Sequence, residues 1–303
     1  MASNIATRHP APMTIGGREF VWGSRTYVMG IVNVTPDSFS GDGLAHDQNA
    51  AIHQALQMRE DGADIIDVGG ESTRPGFAEV DAEEEARRVL PVIERLAREF
   101  DLPVSVDTYK GSVAKSAIDA GATLVNDVHG FLSPDGRPSG REPVIARVAA
   151  EAGVPAVAMY YHRGRPFIDT IGNIMAGLQE SFAVAREQGL PDERIIIDPG
   201  FNFGWKDEQA LEMLRRLGEL RVLGRPILVG TSRKSTIGNV LGLPVEERLE
   251  GTAATVAISI ANGADIVRVH DVKEMARVAR MTDAIVRPPR RAPVWAKEAG
   301  DAV

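Results

Sequence analysis

A (β/α)8 barrel is the fold class this sequence predicts, on three observations. From Tyr27 onward an apolar, β-branched run, a loop rich in Gly, Asp, Ser and Thr, and an amphipathic stretch follow one another about eight times. The runs are continuously apolar rather than alternating, which is the pattern of strands buried on both faces of a parallel sheet with helices outside. A chain of 303 residues suits one barrel domain, and nothing resembles the G-x-G-x-x-G turn of an open doubly wound sheet, the second way to close such units.

Taken in order, residues 1–14 read as a flexible leader, and 15–28, with turn signals at Gly16-Gly17 and Gly23-Ser24, as a short hairpin that could cap the barrel base. Strands are expected at 28–34, 64–68, 104–107, 123–127, 156–160, 195–198, 227–229 and 266–269. Helices are expected near 48–61, 82–100, 111–120, 143–151, 171–188, 208–223, 245–262 and 272–282, several ending at a stop glycine such as Gly62, Gly121 or Gly263. The single domain then spans 15–287. Residues 132–141 form a surface loop or insertion, and 288–303, with Pro288-Pro289 and Trp295, an irregular extension.

Composition narrows the function. The net charge of −8 speaks against a nucleic-acid or anionic-membrane partner, so an anionic ligand must be held by locally placed cations. With no cysteine there is no disulfide framework and no thiolate chemistry. The N-terminus lacks the apolar core of a signal peptide, and no run approaches the roughly 18 apolar residues of a membrane span. A cytoplasmic protein is expected.

In such a barrel the chemistry collects where strands end. The residues at these exits are Asn33; Glu71 to Arg74; Asp107; Asn126-Asp127; Tyr160; Asp198; Ser232-Arg233-Lys234-Ser235; and Arg268-Val269-His270. Any one could be a helix cap or a turn residue, but every exit is polar. Lys234, directly after the run RPILVG, is the expected centre of an active site. Asp107, Asn126 and Asp198 could ring a flat hydrogen-bonding heterocycle, since a carboxylate accepts two N–H bonds and Asn both donates and accepts. Thr73, Arg74, Arg268 and His270 make a donor-rich side suited to phosphate or pyrophosphate, and the R-V-H spacing puts Arg268 and His270 on one face. The alternative for that pair is a strand-end salt bridge with Asp271. Two loops stand out: 35–43, carrying Phe39, and the loop after Asp198, where Phe201, Phe203 and Trp205 suggest an aryl site, core packing accounting equally for one or two of them. No zinc-protease, nucleophile-elbow or Walker A motif occurs, and His53, His129 and His162 have no metal-cage spacing.

The stretches NVTPDSFS (33–40), DVGGESTRPG (67–76), SVDT (105–108), ND (126–127), DPGF (198–201), GTSRKS (230–235) and RVHDV (268–272) resemble, in order and jointly, the dihydropteroate synthases. The resemblance implies a transferase of folate biosynthesis, a target of sulfonamides, that condenses 6-hydroxymethyl-7,8-dihydropterin pyrophosphate with p-aminobenzoate. Matched by position, it implies pterin contacts from Asp107, Asn126, Asp198, Lys234 and Met159. It implies a pyrophosphate site from Asn33, Thr73, Arg74, Arg268 and His270, with Asn33 also a ligand of Mg²⁺. Phe39, Pro75, Phe203, Arg233 and Ser235 match the p-aminobenzoate pocket, and the catalytic groups fall on Lys234, Asp107 and Asp42. A homodimer through outer helices is common in the family.

Three places depart from the family pattern. The first loop reads Ser40-Gly41-Asp42-Gly43 rather than Ser-Asp-Gly-Gly, the strand-five exit reads Met159-Tyr160-Tyr161-His162, and Trp205 stands where Lys is usual, with Lys206 next. Two other functions therefore stay open at this point: a pterin-binding homologue with lost or altered p-aminobenzoate transfer, and a pterin-dependent methyltransferase.

Overall fold

Eight parallel strands run around the centre of the computed structural model, which describes residues 9–34, 44–71, 79–132, 144–163 and 166–287. Two short antiparallel strands precede them, β1 (Met13–Ile15) and β2 (Arg18–Phe20). Their two-residue turn, Gly16-Gly17, has φ of 54° and 78°, the doubly left-handed turn that matches the twist of a hairpin and that glycine adopts without penalty. The hairpin begins inside the stretch read as a leader, because Met13 and Ile15 are both buried beneath the barrel.

The barrel strands are β3 (Tyr27–Asn33), β4 (Ile65–Gly69), β5 (Val104–Asp107), β6 (Leu124–Asp127), β7 (Ala156–Met159), β8 (Ile195–Asp198), β9 (Leu228–Val229) and β10 (Ile266–Val269). They pair in the order β8-β7-β6-β5-β4-β3-β10-β9, and a parallel bridge from Ile197 to Ile227 closes the ring. Helices α1 (Leu44–Asp61), α2 (Ala82–Glu99), α3 (Gly111–Asp119), α4 (Ile145–Ala152), α5 (Thr170–Glu187), α6 (Asp207–Arg215), α7 (Ser235–Leu241), α8 (Leu249–Ala261) and α9 (Val272–Val286) connect them. The expected helix 208–223 divides, its second half being a tighter 3-10 segment, Leu217–Leu223. Helix α7, which opens directly after Lys234, has no counterpart among the expected elements: at seven residues it is too short to show a periodic stripe.

One layer lower and one layer higher, the barrel has opposite chemistry. Met29, Ile65, Leu124, Val157, Ile196, Leu228 and Ile266 form a buried apolar cluster with Met13, Ile15, Phe20, Trp22 and Tyr27 of the hairpin region. Because side chains alternate along a strand, the next inward positions are two residues on: Ile31, Asp67, Asn126, Met159, Asp198, Gly230 and Arg268. Outside the barrel, a second cluster, including Val32, Val68, Val106, Ile197 and Val267, packs strands against helices. Beside the hairpin lies a cleft of about 330 Å³ whose Arg25 is bound to Asp64, and whose Arg18 is bound to Asp101 just outside it. No helix among the described residues is long and apolar enough to cross a membrane.

Candidate active site

The charged layer is held together by one arginine. Arg268 donates from Nε to Asp67 Oδ2 and from Nη2 to Asp107 Oδ2, both at 2.6 Å, and Asn126 Nδ2 donates to the same Asp67 oxygen at 3.0 Å. Burial alone would lower the basicity of Arg268, but Asp67 and Asp107 more than offset it and hold the guanidinium above its ordinary range. The sequence reading placed Arg268 with an anion site. In the structure it faces two carboxylates, and Asp271, its alternative partner, binds Arg233. Asp67, fully buried, was not singled out as a site residue; the signal was there, a charged residue in the middle of an otherwise apolar strand.

Asp107, Asn126 and Asp198 end neighbouring parts of the ring as expected. Burial pushes the Asp107 carboxyl up to about 7, Arg268 pulling it down and Asp67 adding to the rise. Burial pushes Asp198 up to about 6, against a 2.7 Å bond from the Gly200 N–H and the charges of Lys234 and Arg268. Gly200 has φ of 74°, and a Cβ there would stand 1.8 Å from the Tyr160 carbonyl oxygen, so only glycine lets the loop turn under Asp198. Met159 is buried at the end of β7. Asp127, by contrast, accepts from the backbone N–H groups of His129 and Phe131 and ties a turn. On the far side, Asn33 pairs in register with Gly69, and Gly69 with Asp107; a Cβ on Gly69 would touch both side chains.

Lys234 stands at the N-cap of α7 with its ammonium 4.2 Å from the centre of the Phe203 ring, a cation–π contact, and it bears on the charges of both Asp107 and Asp198. Its loop is clamped from outside. Arg248 donates to the carbonyls of Arg233 and Lys234, and Thr252 accepts from the Arg233 N–H, neither of which sequence had suggested. Arg233 adopts φ of 57° and pairs with Asp271, so its guanidinium is committed to a neighbour. His270 Nδ1 lies 3.0 Å from Ser232 Oγ, and Ser235 Oγ accepts from Asn202. Thr73, Arg74, Pro75, Phe39 and Asp42 lie outside the described residues.

Only one of the three aromatics after Asp198 faces Lys234. Phe201 is buried in the core, and the Trp205 ring stacks on His162 at 4.4 Å and 12° while lying 5.7 Å from Tyr160. Tyr160, read as a polar exit group, is itself buried against Gly177, where a Cβ would fall 2.1 Å from its ring. The unusual residues after β7 and β8 thus pack on each other, and Trp205 is turned toward His162 rather than toward Lys234. A wall of rings, Tyr109, His129, Tyr161 and Phe203, with successive centroids 4.4, 6.2 and 5.6 Å apart, leads from β5 to Lys234.

Chemically, this mouth offers acceptors on one side, a cation at the centre and an aryl surface beside it. Among the described residues no group of three or more His or carboxylate side chains could hold a metal by itself. Asn33 supplies a hard carbonyl oxygen, which suits a cation of the Mg²⁺ type that takes most of its ligands from phosphate and water.

A family model described as pterin binding enzyme matches residues 29–270. The dihydropteroate synthase of Clostridium beijerinckii is 50% identical over 276 residues, 91% of this chain and 100% of that protein. Among solved structures, the dihydropteroate synthase of Clostridium difficile in the presence of pteroic acid superposes with a TM-score of 0.83 at 48% identity, covering 88% of this chain and 99% of that one. That of Xanthomonas albilineans with 4-aminobenzoic acid gives 0.82 at 39%, covering 91% and 98%.

Proposed function

The chain belongs to the dihydropteroate synthase family of pterin-binding enzymes, and from that premise we propose how its barrel mouth works. It is a transferase of folate biosynthesis: 6-hydroxymethyl-7,8-dihydropterin pyrophosphate and p-aminobenzoate give 7,8-dihydropteroate and pyrophosphate. The observation that carries the residue roles is the convergence of Asp107, Asn126, Asp198 and Lys234 on one end of the barrel, at the layer fixed by Asp67 and Arg268.

In this reading Asp198 and Asn126 take the amino-pyrimidone edge of the pterin, an acceptor meeting N–H donors and a carboxamide meeting both, with Asp107 and Met159 beside the ring. Lys234 lies between pterin and arylamine. The C–O bond to pyrophosphate breaks, the electron-rich ring stabilises the cation left on the methylene, the p-aminobenzoate nitrogen forms the new C–N bond, and that nitrogen loses one proton. The site has to stabilise charge more than to create a nucleophile, because the arylamine is already neutral at pH 7. Asp42 acts toward the cation. Asn33, Thr73, Arg74 and His270 serve the pyrophosphate, Arg268 reaching it from its place between the carboxylates. Phe39, Pro75, Phe203, Arg233 and Ser235 border p-aminobenzoate, where sulfonamides also bind. Asn33 would hold Mg²⁺, which when bound neutralises the leaving group.

The protein acts in the cytoplasm on small molecules, without nucleic acid or membrane. It forms a homodimer through α7, α8 and α9, whose outer faces expose Val240, Leu241, Ile258, Met281 and Ile285. The test of the reaction is direct: purified protein with Mg²⁺ and both substrates releases pyrophosphate and forms dihydropteroate. Pterin binding without product would overturn it.

A further inference from the structure

Beyond the barrel, the segments that follow β7 and β8 run side by side, and their aromatic rings fall into two groups. The loop after Asp198 has left-handed backbone at alternate residues, with φ of 74° at Gly200, 68° at Asn202 and 79° at Gly204. Such a backbone forms no regular ladder of its own, so its shape is set by what it lies on. It lies on the β7 exit. The Tyr160 N–H donates to the Asp198 carbonyl at 2.8 Å, and the His162 N–H donates to the Phe203 carbonyl at 3.1 Å. A Cβ on Gly204 would stand 2.0 Å from the His162 carbonyl oxygen, the same close approach that Gly200 makes to Tyr160. Neighbouring residues of an extended chain point to opposite sides, and that alternation sorts the rings. Tyr160 and His162 meet Trp205, whose ring stacks on His162 at 4.4 Å and lies 5.7 Å from Tyr160; the Tyr160 hydroxyl is 3.1 Å from His162 Nδ1. Tyr161 meets Phe203 edge-on at 5.6 Å, and Phe203 carries the Lys234 ammonium.

We propose that Trp205 is a positioning residue that fixes the Phe203 ring, and with it the fit of p-aminobenzoate, by seating the loop on Tyr160 and His162. The inference rests on the reading that puts this substrate beside Phe203 and Lys234. Trp205 is separated from Phe203 by Gly204 alone and is turned toward His162, so it acts on the substrate through the loop. Its seat is itself anchored. The Tyr160 ring is buried against Gly177 of α5, where a Cβ would fall 2.1 Å away. Contact therefore runs from α5 through Tyr160 and His162 to Trp205, and from there through Gly204 to Phe203. Two of the three departures from the family pattern, at the strand-five exit and at Trp205, thus meet and form one feature. A lysine at 205 would bring a flexible, hydrated ammonium to a place shaped for a flat ring. An aryl surface held in place before the substrate arrives loses no freedom on binding, which favours the arylamine without touching the pterin end of the site. The loop of Lys234 is held separately, by Arg248 and Thr252.

The test separates the two substrates. Trp205→Ala should raise the KM for p-aminobenzoate about tenfold, while the KM for the pterin pyrophosphate stays within about twofold and kcat within about threefold. Trp205→Phe keeps a ring for His162 and should stay within about threefold of wild type in all three. Trp205→Lys should behave as the Ala variant does. His162→Ala should raise the same KM, and combining it with Trp205→Ala should raise it no further, because the two rings act as one unit. A KM does not depend on how much of the enzyme is folded, so a loss of stability alone would leave it unchanged. A Trp205→Ala variant with the wild-type KM for p-aminobenzoate, a Phe variant as impaired as Ala, equal rises in both KM values, or His162 and Trp205 effects that simply add would each overturn the inference while leaving the reaction intact. A wild-type protein that forms no dihydropteroate overturns the functional reading and this inference with it.

Discussion

The base and the mouth of the barrel are built from the same strands two residues apart, and they have opposite requirements. At the base, Phe20, Trp22 and Tyr27 pack their rings 4.6 to 5.7 Å apart under Ile65, Leu124, Val157, Ile196, Leu228 and Ile266. In the mouth the corresponding positions become Asp67, Asn126, Met159, Asp198, Gly230 and Arg268. Burying apolar area stabilises the fold by about 25 cal/mol per Å², whereas burying carboxylates costs free energy that paired cations only partly return. One end of the barrel therefore holds the fold together and supports the other, which is arranged for a ligand. Substitutions at the two ends should separate stability from turnover.

The largest effect is expected at the centre of the mouth. Lys234→Ala should lower turnover at least about a thousandfold, with the melting temperature within about 2 °C of wild type. A rate within tenfold of wild type would remove Lys234 from its role. At the other end, Trp22→Ala should cost about 3 kcal/mol of stability in denaturant titration, and turnover measured well below the melting transition should match wild type. An activity loss without a stability loss would mean that the ends are not separate. Between them, Asp67→Asn removes the charge that holds Arg268 Nε while keeping an acceptor, and should lower turnover about thirtyfold. Wild-type kinetics would show that Asp107 alone positions Arg268.

The smallest effect is a pH dependence. The Asp198 carboxyl titrates at about 6 in the fold, above its ordinary 3.8, so its favourable contribution is present at low pH and fades as pH rises through 6. Asn at 198 cannot ionise. Asp198→Asn should match wild type in stability near pH 4 and exceed it by about 2 kcal/mol at pH 8, read from denaturant midpoints across that range. An equal gap at both ends of the range would contradict the burial of an ionisable group there.

Much of this was legible in the chain. Continuous apolar runs gave strands of the right number, and several boundaries, such as Val104–Asp107, Ile195–Asp198 and Ile266–Val269, agree residue for residue with the reading. The positions of Asp107, Asn126, Asp198 and Lys234 followed from the rule that chemistry sits at strand exits. Partnerships across the barrel did not follow, because they depend on register: Arg268 is 201 residues from Asp67 and 161 from Asp107, and no local pattern couples them. The fate of Trp205 was equally hidden, since whether it narrows the pocket or stacks on His162 depends on how the β7 and β8 loops pack. Asn202 lay in a stretch that was read for its aromatics, and a left-handed asparagine has no sequence mark to set it apart from an ordinary turn residue.

The central claim is that the charged layer at the mouth is a pterin site, and calorimetric titration of wild type and Asp198→Asn with 6-hydroxymethylpterin tests it most directly. The wild-type protein should bind, and the variant, which keeps one acceptor oxygen but turns an N–H toward the second proposed pterin donor, should bind at least about a hundredfold more weakly. Equal affinities for the two proteins would contradict the account.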